Sequence, residues 1–160
     1  MAQYEVIIVQ ERYDFDTERL ENLSSSGRRF SVVRPHMYDL INGITQQGYC
    51  AIARNHAIKF AQGDWVVFLS EASDPDDAWF ADLERDLDEA SRVGAAVSVS
   101  ANSAPESTRV ADIAYRLDVL GALGGFEQSE ESEGYEDFLA ELDLLANGFV
   151  VISGSRSCAA

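Results

Sequence analysis

Four acidic residues lie close together in the middle of the chain, at Glu71, Asp74, Asp76 and Asp77. Carboxylate oxygens are hard ligands, so such a group has the chemistry to hold Mg2+ or Mn2+. The run SDPDD at 73–77 is also typical of a helix start, because it offers a capping acid at Asp74, a proline at the first helical position and two acids in the first turn. Two interpretations therefore stand: a metal site built on Glu71 and Asp74, or a solvated helix cap.

Two further pairs of neighbouring residues have functional chemistry. Arg54-Asn55 lies early in a predicted helix, where a guanidinium can fork onto a phosphate or a nucleobase carbonyl, or can simply face solvent. Glu136-Asp137 follows a polar, acidic stretch. A carboxylate there can act as a general base that takes a proton from a hydroxyl, or can complement the dipole of the helix that it begins.

Other catalytic signatures are missing from the sequence. His36 and His56 are not spaced as a metal pair, and there is no G-x-S-x-G, P-loop or G-x-G-x-x-G motif. These gaps argue against a serine hydrolase, a kinase and a Rossmann oxidoreductase.

Short apolar runs predict the strands that must position these side chains, at 4–9, 30–33, 65–69, 95–100 and 149–152. Helices are predicted at 17–23, 51–61, from the SDPDD run onward, at 108–120 and at 136–146, with a glycine-rich connection at 121–125. Strands that alternate with helices are typical of an α/β protein. We expect a single-domain, three-layer sandwich over 1–152 around a mostly parallel central sheet, followed by a frayed tail at 153–160.

Ligands of such sheets bind at the carboxyl ends of the strands. The polar residues that follow the first, second and third predicted strands are therefore candidates for one shared site: Gln10, Glu11, Arg34, Glu71 and Asp74.

The charge excludes some partners. The 160 residues include 28 acidic and 12 basic side chains, a net charge of −16. A polyanion is repelled by nucleic acid and by anionic lipid, so neither is expected as a partner. Lys59 is the single lysine. Either a GC-rich genome that favours arginine codons or a high-salt cytoplasm, in which charge repulsion is screened, explains that composition.

The cellular compartment is predicted from a few features of the chain. Its two cysteines, Cys50 and Cys158, have neither metal-ligand spacing nor the pattern of a disulfide framework. No apolar run approaches the roughly 18 residues of a membrane span, and the first residues lack a basic leader. We therefore expect a cytoplasmic protein.

Two segments of the chain carry a resemblance to a known family. The segment 48–69, GYCAIARNHAIKFAQGDWVVFL, resembles the family 2 glycosyltransferases of the GT-A fold, also called nucleotide-diphospho-sugar transferase-like. Downstream, LGGFE at 123–127 and YED at 135–137 are similar to the family's glycine-glycine-phenylalanine turn and its Glu-Asp motif. With gaps, the resemblance extends over about 1–152.

The resemblance implies transfer of a sugar from a nucleotide-sugar donor to an acceptor hydroxyl, with inversion at the anomeric carbon. Asp137 would be the catalytic base, with Glu136 beside it. The implied donor-binding residues are Arg54, Asn55, Gln10, Glu11 and Arg34.

The chain departs from the family at three places. Where the family has Asp-x-Asp for its divalent metal, this chain has Ser70-Glu71-Ala72, so Glu71 or Asp74 would have to hold Mn2+ or Mg2+. Arg34 stands where an aspartate usually reads the nucleobase, and the region between 100 and 124 is short. The alternatives are a pseudo-glycosyltransferase that binds a nucleotide or a partner, and an acidic structural subunit that binds another protein or its own copies.

Overall fold

A computed structural model of the chain describes residues 3–9, 18, 30–33, 49–69, 75–99, 112–126, 146–148 and 150–154. Within these ranges lie six strands and three helices. The strands are β1 (Tyr4–Val9), β2 (Phe30–Val33), β3 (Trp65–Leu69), β4 (Ala95–Val99), β5 (Asp112–Arg116) and β6 (Val150–Ser153), and the helices are α1 (Tyr49–Ile58), α2 (Asp77–Arg92) and α3 (Leu117–Ala122).

The strands form one sheet in the order β2-β1-β3-β5-β4-β6. β1 is parallel to β2 and β3, and β4 is parallel to β6, whereas β5 runs antiparallel to both of its neighbours. The prediction of a mostly parallel α/β sheet is therefore confirmed, with β5 as the one reversed strand among those described.

The registers bring the carboxyl ends of the parallel strands to a common edge. Val9 pairs with Val33, and Leu69 at the end of β3 pairs with Ile8. Because β5 is reversed, its first residue, Asp112, lies opposite Leu69 at the same edge. We call this side of the sheet the carboxyl edge, and it is the edge at which the sequence predicts ligand binding.

Apolar side chains cover both faces of the sheet and produce three layers. Along β1, Val6 and Ile8 belong to one core cluster and Ile7 to the other, as the alternation of a strand requires. Helix α2 covers the first face through the buried Leu83 and Leu87. Helices α1 and α3 contribute to the second face. The continuous apolar runs of the sequence correspond to strands that are buried on both sides.

The region at 108–120 differs from its prediction. Residues 112–116 form a strand, β5, and the helix α3 begins only at Leu117. The spacing of Ile113, Ala114 and Leu117 fits a helical period, but in the sheet Ile113 and Ala114 face opposite cores. Hydrogen-bonded pairing with β3 on one side and β4 on the other outweighs that period, which is ambiguous over so short an apolar run.

The helix ends also differ from their predictions. Helix α2 begins at Asp77, and its capping residue is Asp76, whose Oδ1 accepts a 2.8 Å hydrogen bond from the Trp79 amide. Asp74 was predicted as the cap, but Pro75 comes before the cap and not inside the helix. Helix α1 spans Tyr49–Ile58 in place of 51–61, and α3 extends two residues into the predicted glycine-rich connection.

Some predicted elements cannot be compared in full. The helices predicted at 17–23 and 136–146 lie outside the described residues except at Glu18 and Ala146, which are helical. The last strand extends to Ser153, one residue beyond the predicted domain, and the tail from 155 onward is not among the described residues. In the described part of the chain, no helix has both the length and the apolarity that crossing a bilayer requires.

The opposite edge of the sheet is tied together by Asp64. Its amide donates a 2.7 Å hydrogen bond to the Gln3 carbonyl, and its Oδ2 accepts one of 3.0 Å from the Gln3 amide. Its own carbonyl accepts from the amide of Leu117. A side chain at Gly63 would come within 2.9 Å of the Gln3 carbonyl. The Gly63-Asp64 turn thus fixes the starts of β1, β3 and α3 relative to one another.

Candidate functional site

The predicted site residues fall into two groups. Arg54 and Asn55 lie in α1 and are described by the structure. The strands β1, β2 and β3 end together at the carboxyl edge, and each is followed in sequence by predicted site residues. The positions of these residues, and of the predicted base, lie outside the described residues: Gln10, Glu11, Arg34, Glu71, Asp74, Glu136 and Asp137.

Arg54 is half-buried and lies over aromatic rings. Its Cζ is 5.0 Å from the ring centroid of Phe68 and 5.6 Å from that of Phe126. The Nε atom is buried from solvent. Phe68 is the last residue but one of β3, so Arg54 lies beside the carboxyl edge. Contacts of a cation with aromatic faces stabilise by about 0.5–2 kcal/mol, depending on desolvation. Arg54 is therefore partly covered by aromatic side chains, and its predicted contact to a phosphate or a nucleobase stays a prediction.

Three buried aromatic side chains pack together, and Arg54 lies over two of them, Phe68 and Phe126. We call Phe68, Tyr115 and Phe126 the aromatic platform. Phe126 is 5.4 Å from each of the other two ring centroids, and both pairs are edge-to-face. The three residues come from β3, β5 and the turn after α3. The sequence did not predict Tyr115 as part of this cluster, because Tyr115 lies in the segment predicted as a helix.

Asn55 joins α1 to the glycine turn. Its Nδ2 donates a 2.8 Å hydrogen bond to the Phe126 carbonyl, and its Oδ1 accepts one of 2.7 Å from the Phe126 amide. Gly124 and Gly125 both have positive φ, at 85° and 83°. A Cβ at Gly125 would lie 2.4 Å from Asn55 Oδ1, so only glycine leaves room for this pairing.

The two motifs that carried the resemblance are therefore in direct contact. They are 71 residues apart in sequence between Asn55 and Phe126. Arg54 lies on the ring of Phe126, while Asn55 binds its backbone. Phe126 itself is buried. The structure thus builds one site from the Arg-Asn pair and the glycine-glycine-phenylalanine turn.

The described residues contain no group of three or more His, Cys, Asp or Glu side chains that is placed to hold a metal. Of the acids at 71–77, Asp76 is used as the cap of α2, and Asp77 lies in the first turn of that helix. This supports the helix-cap interpretation for Asp76. The two acids predicted as ligands, Glu71 and Asp74, stay a prediction.

One acidic residue at the carboxyl edge was not singled out from the sequence. Asp112, the first residue of β5, is in register with Leu69, the last residue of β3. Asp112 lies in a segment whose apolar spacing predicts a helix, and a residue inside a helix would not be expected at the strand ends. Only the antiparallel pairing of β5 places it at this edge.

No protein-family model matches the chain, and no curated protein sequence matches it. Solved structures do. A mannosyltransferase from Pyrobaculum calidifontis, in complex with GDP-Man and Mn2+, superposes with a TM-score of 0.66 at 14% identity, over 96% of this chain and 55% of that one. S. aureus TarS in complex with UDP-GlcNAc gives a TM-score of 0.65 at 16% identity, over 98% and 57%.

Nucleotidyltransferases share the fold as well. A cytidylyltransferase from Leptospira borgpetersenii superposes with a TM-score of 0.59 at 14% identity, over 99% of this chain and 78% of that one. At these identities the similarity shows the fold alone. The fold is thus the GT-A, nucleotide-diphospho-sugar transferase-like one that the resemblance implied, and the chain spans a little over half the length of the mannosyltransferase chain and of the solved TarS fragment 1–349.

Proposed function

We propose that this chain is a glycosyltransferase domain that transfers a sugar from a nucleotide-sugar donor to an acceptor hydroxyl. The observation that carries the proposal is the placement of Arg54 on the aromatic platform, next to the glycine turn and beside the carboxyl edge. The fold supports it, because similar structures were solved with GDP-Man or UDP-GlcNAc bound.

Arg54 is the proposed contact to the donor. A nucleoside diphosphate is an anion, and in a chain of net charge −16 it needs a local cation. The planar guanidinium presents several donors to phosphate oxygens or to a base carbonyl. Because the rings of Phe68 and Phe126 already restrain it, less conformational entropy is lost when the donor binds. Gln10, Glu11 and Arg34 complete the proposed donor contacts.

Asp137 is the proposed general base, with Glu136 beside it. Its carboxylate takes the proton of the acceptor hydroxyl while that oxygen attacks the anomeric carbon from the face opposite the donor diphosphate. The new carbon–oxygen bond forms as the bond to the diphosphate oxygen breaks, which inverts the anomeric centre. Arg54 then stabilises the charge on the departing diphosphate.

A divalent cation belongs to this proposal as a cofactor. Glu71 and Asp74 supply oxygen ligands of the kind that Mn2+ and Mg2+ prefer. When bound, such an ion adds positive charge beside the diphosphate. The similar structure that was solved with GDP-Man and Mn2+ motivates this part of the proposal.

Calorimetric titration of the chain with UDP, GDP and CTP, each with and without Mn2+, tests donor binding. We expect one nucleoside diphosphate to bind, and Arg54→Gln to weaken it by about 10- to 100-fold, the loss of one charge-assisted contact. Arg85→Gln is the matched control, because Arg85 is exposed and pairs with Asp82 on α2. If UDP and GDP fail to bind under every condition, the proposal is wrong, and binding of CTP alone indicates a nucleotidyltransferase.

The base is tested separately by Asp137→Asn. This variant should lose sugar transfer and donor hydrolysis while its melting temperature and nucleotide affinity stay at wild-type values. Asp88→Asn, which removes the same charge from an exposed position of α2, should retain full turnover. Unchanged turnover in Asp137→Asn would mean that another group is the base.

One observation favours a second candidate, a nucleotide- or partner-binding pseudo-glycosyltransferase. The positions after β3 read Ser70-Glu71-Ala72, where the family resemblance predicts two metal-binding aspartates. Nucleotide binding that does not respond to Mn2+, together with no turnover of any donor, would favour this candidate over the enzyme.

A further inference from the structure

We infer that Asn55 is a positioning residue: its side-chain amide holds the turn at Gly124, Gly125 and Phe126 in place, and through Phe126 it sets where the guanidinium of Arg54 lies. The inference deepens the proposed function and rests on it only for the role of Arg54 in donor binding. It differs from the direct donor contact that the resemblance implies for Asn55.

Phe126 contacts both Asn55 and Arg54, the first through its backbone and the second through its ring. The backbone amide and carbonyl of Phe126 bind the two polar atoms of the Asn55 amide, at 2.7 Å and 2.8 Å. The ring of Phe126 lies under Arg54, which precedes Asn55 in the same helix. Any shift of the turn therefore moves the ring beneath the guanidinium. Asn55 acts on Arg54 through this neighbour.

An asparagine is required because the Phe126 backbone presents a donor and an acceptor side by side. At neutral pH, only a side-chain amide of this length offers the complementary pair in one planar group. Phe126 is buried, so a backbone group there that loses its partner is left without water to replace it, which destabilises the turn. The pairing also requires glycine at position 125, since a Cβ there would collide with Asn55 Oδ1.

Asn55→Asp is the sharpest test, because it changes one atom of the pair at almost constant volume. At neutral pH the carboxylate still accepts from the Phe126 amide, but its second oxygen faces the Phe126 carbonyl without a proton. When protonated, the carboxyl donates to that carbonyl and restores both hydrogen bonds. The pKa of the new carboxyl is therefore raised in the folded protein above its unfolded value of about 3.9.

The sign of the pH dependence follows from this shift. A raised folded-state pKa means that the protonated carboxyl stabilises at low pH, and that this stabilisation is lost as pH rises through the folded-state pKa. Arg54 and His56 flank the position on α1, and a cationic Arg54 opposes the shift. The deficit of the variant relative to wild type should thus be large at pH 7.5 and shrink toward pH 5. Wild type is measured at every pH, because the nucleotide phosphates also titrate.

Two readouts are compared: nucleotide affinity by calorimetry and hydrogen exchange of the Phe126 amide. At pH 7.5 we expect Asn55→Asp to bind the nucleotide about tenfold more weakly and to exchange that amide about tenfold faster, as for one lost hydrogen bond. Both deficits should decrease at pH 5. Asn147→Asp, the same substitution in an exposed turn, is the matched control and should show neither deficit.

Gly125→Ala provides a second route to the same result if Asn55→Asp does not fold. It displaces Asn55 Oδ1 without altering Asn55, so it should also speed exchange at Phe126 and weaken nucleotide binding at every pH. Gly124→Ala has a similar φ, but its Cβ meets nothing within 4 Å, so it controls for backbone strain.

Three results would contradict the role of Asn55 or the proposed nucleotide binding. Wild-type affinity and exchange in Asn55→Asp at pH 7.5 would overturn the inference. Weakened binding with a protected Phe126 amide would overturn it in favour of a direct donor contact by Asn55. If wild type binds no nucleotide, the proposed function fails, and the exchange of the Phe126 amide still decides whether Asn55 holds the turn.

Discussion

At the scale of single residues, three of the described arginines have different surroundings. Arg85 and Arg92 pair with carboxylates three positions earlier on α2, at exposed positions where such pairs contribute little to stability. The hydrogen bond from Arg92 lowers the pKa of Glu89. Arg54 lies on the rings of Phe68 and Phe126. Such contacts restrain the guanidinium, which suits the proposed contact to an anionic donor.

Three neighbouring glycines separate three physical effects. Gly121 lies in α3, and alanine there should raise the free energy of unfolding by about 0.5–1 kcal/mol, because it lowers the chain entropy lost on folding. Gly124→Ala should lower it by about 1–2 kcal/mol through its positive φ alone. Gly125→Ala adds the collision with Asn55 and should cost roughly 1–3 kcal/mol more.

Urea denaturation of the three single variants measures this series. A Gly125→Ala protein as stable as Gly124→Ala would show that Asn55 moves aside without cost. That result would also weaken the inferred role of Asn55, because a turn that tolerates the displacement is not held by it.

At the scale of secondary-structure elements, α2 is anchored by several kinds of contact. Its buried face packs on the sheet through Trp79, Leu83 and Leu87. Two side-chain hydrogen bonds also join the helix to the sheet. The Tyr4 hydroxyl donates to Glu84 at 2.9 Å, and Trp65 Nε1 donates to the Ser91 hydroxyl at 3.0 Å. The helix is therefore held along its length and not only by its apolar face.

The cap of α2 gives a prediction at this scale. Asp76→Ala should lower the free energy of unfolding by about 0.5–2 kcal/mol, because the Trp79 amide loses its side-chain acceptor. Asp77→Ala, one position later in the first turn, is the comparison and should cost less, since Asp77 favours the helix dipole but does not accept the Trp79 amide. Chemical denaturation monitored by circular dichroism measures both. Equal losses would mean that charge, and not capping geometry, decides.

Strand β5 is the element that brings the site together. It lies between β3 and β4, antiparallel to both, and so carries Tyr115 into the aromatic platform beside Phe68. The chain then enters α3 directly at Leu117 and reaches the glycine turn at Gly124. A helix at 112–116 would have left Phe126 without this base.

At the scale of the whole molecule, the net charge of −16 is the dominant feature. Repulsion among so many carboxylates destabilises the compact state in dilute buffer. Salt shortens the Debye length from about 10 Å at 0.1 M to about 3 Å at 1 M, which screens that repulsion.

The melting temperature should therefore rise as KCl is raised from dilute buffer to molar concentration, by about 2–4 °C for each kcal/mol of repulsion relieved. Asp88→Lys, at an exposed position of α2, should flatten the dependence. An equivalent series in sucrose controls for solvent exclusion, which acts without screening charge. A melting temperature that ignores KCl would remove the high-salt explanation and leave codon composition.

The sequence alone was sufficient for much of the site's framework. The runs at 4–9, 30–33 and 65–69 became strands with the predicted bounds, because a buried parallel strand is recognisable from its own apolar residues. The Arg-Asn pair and the glycine turn were also visible as motifs. The contact between these motifs was not visible, since no local pattern indicates that Asn55 binds the backbone of a residue 71 positions away.

Composition, charge and local apolar runs thus determined the α/β class, five of the six described strands and the candidate residues, because each depends on a few neighbouring side chains. Tertiary structure alone decided three things: that 112–116 is a strand, that Tyr115 packs against Phe68 and Phe126, and that Asn55 hydrogen-bonds the backbone of Phe126. Each of these depends on hydrogen bonds and burial between segments far apart in the chain, and such pairings outweigh local propensity when both partners are buried.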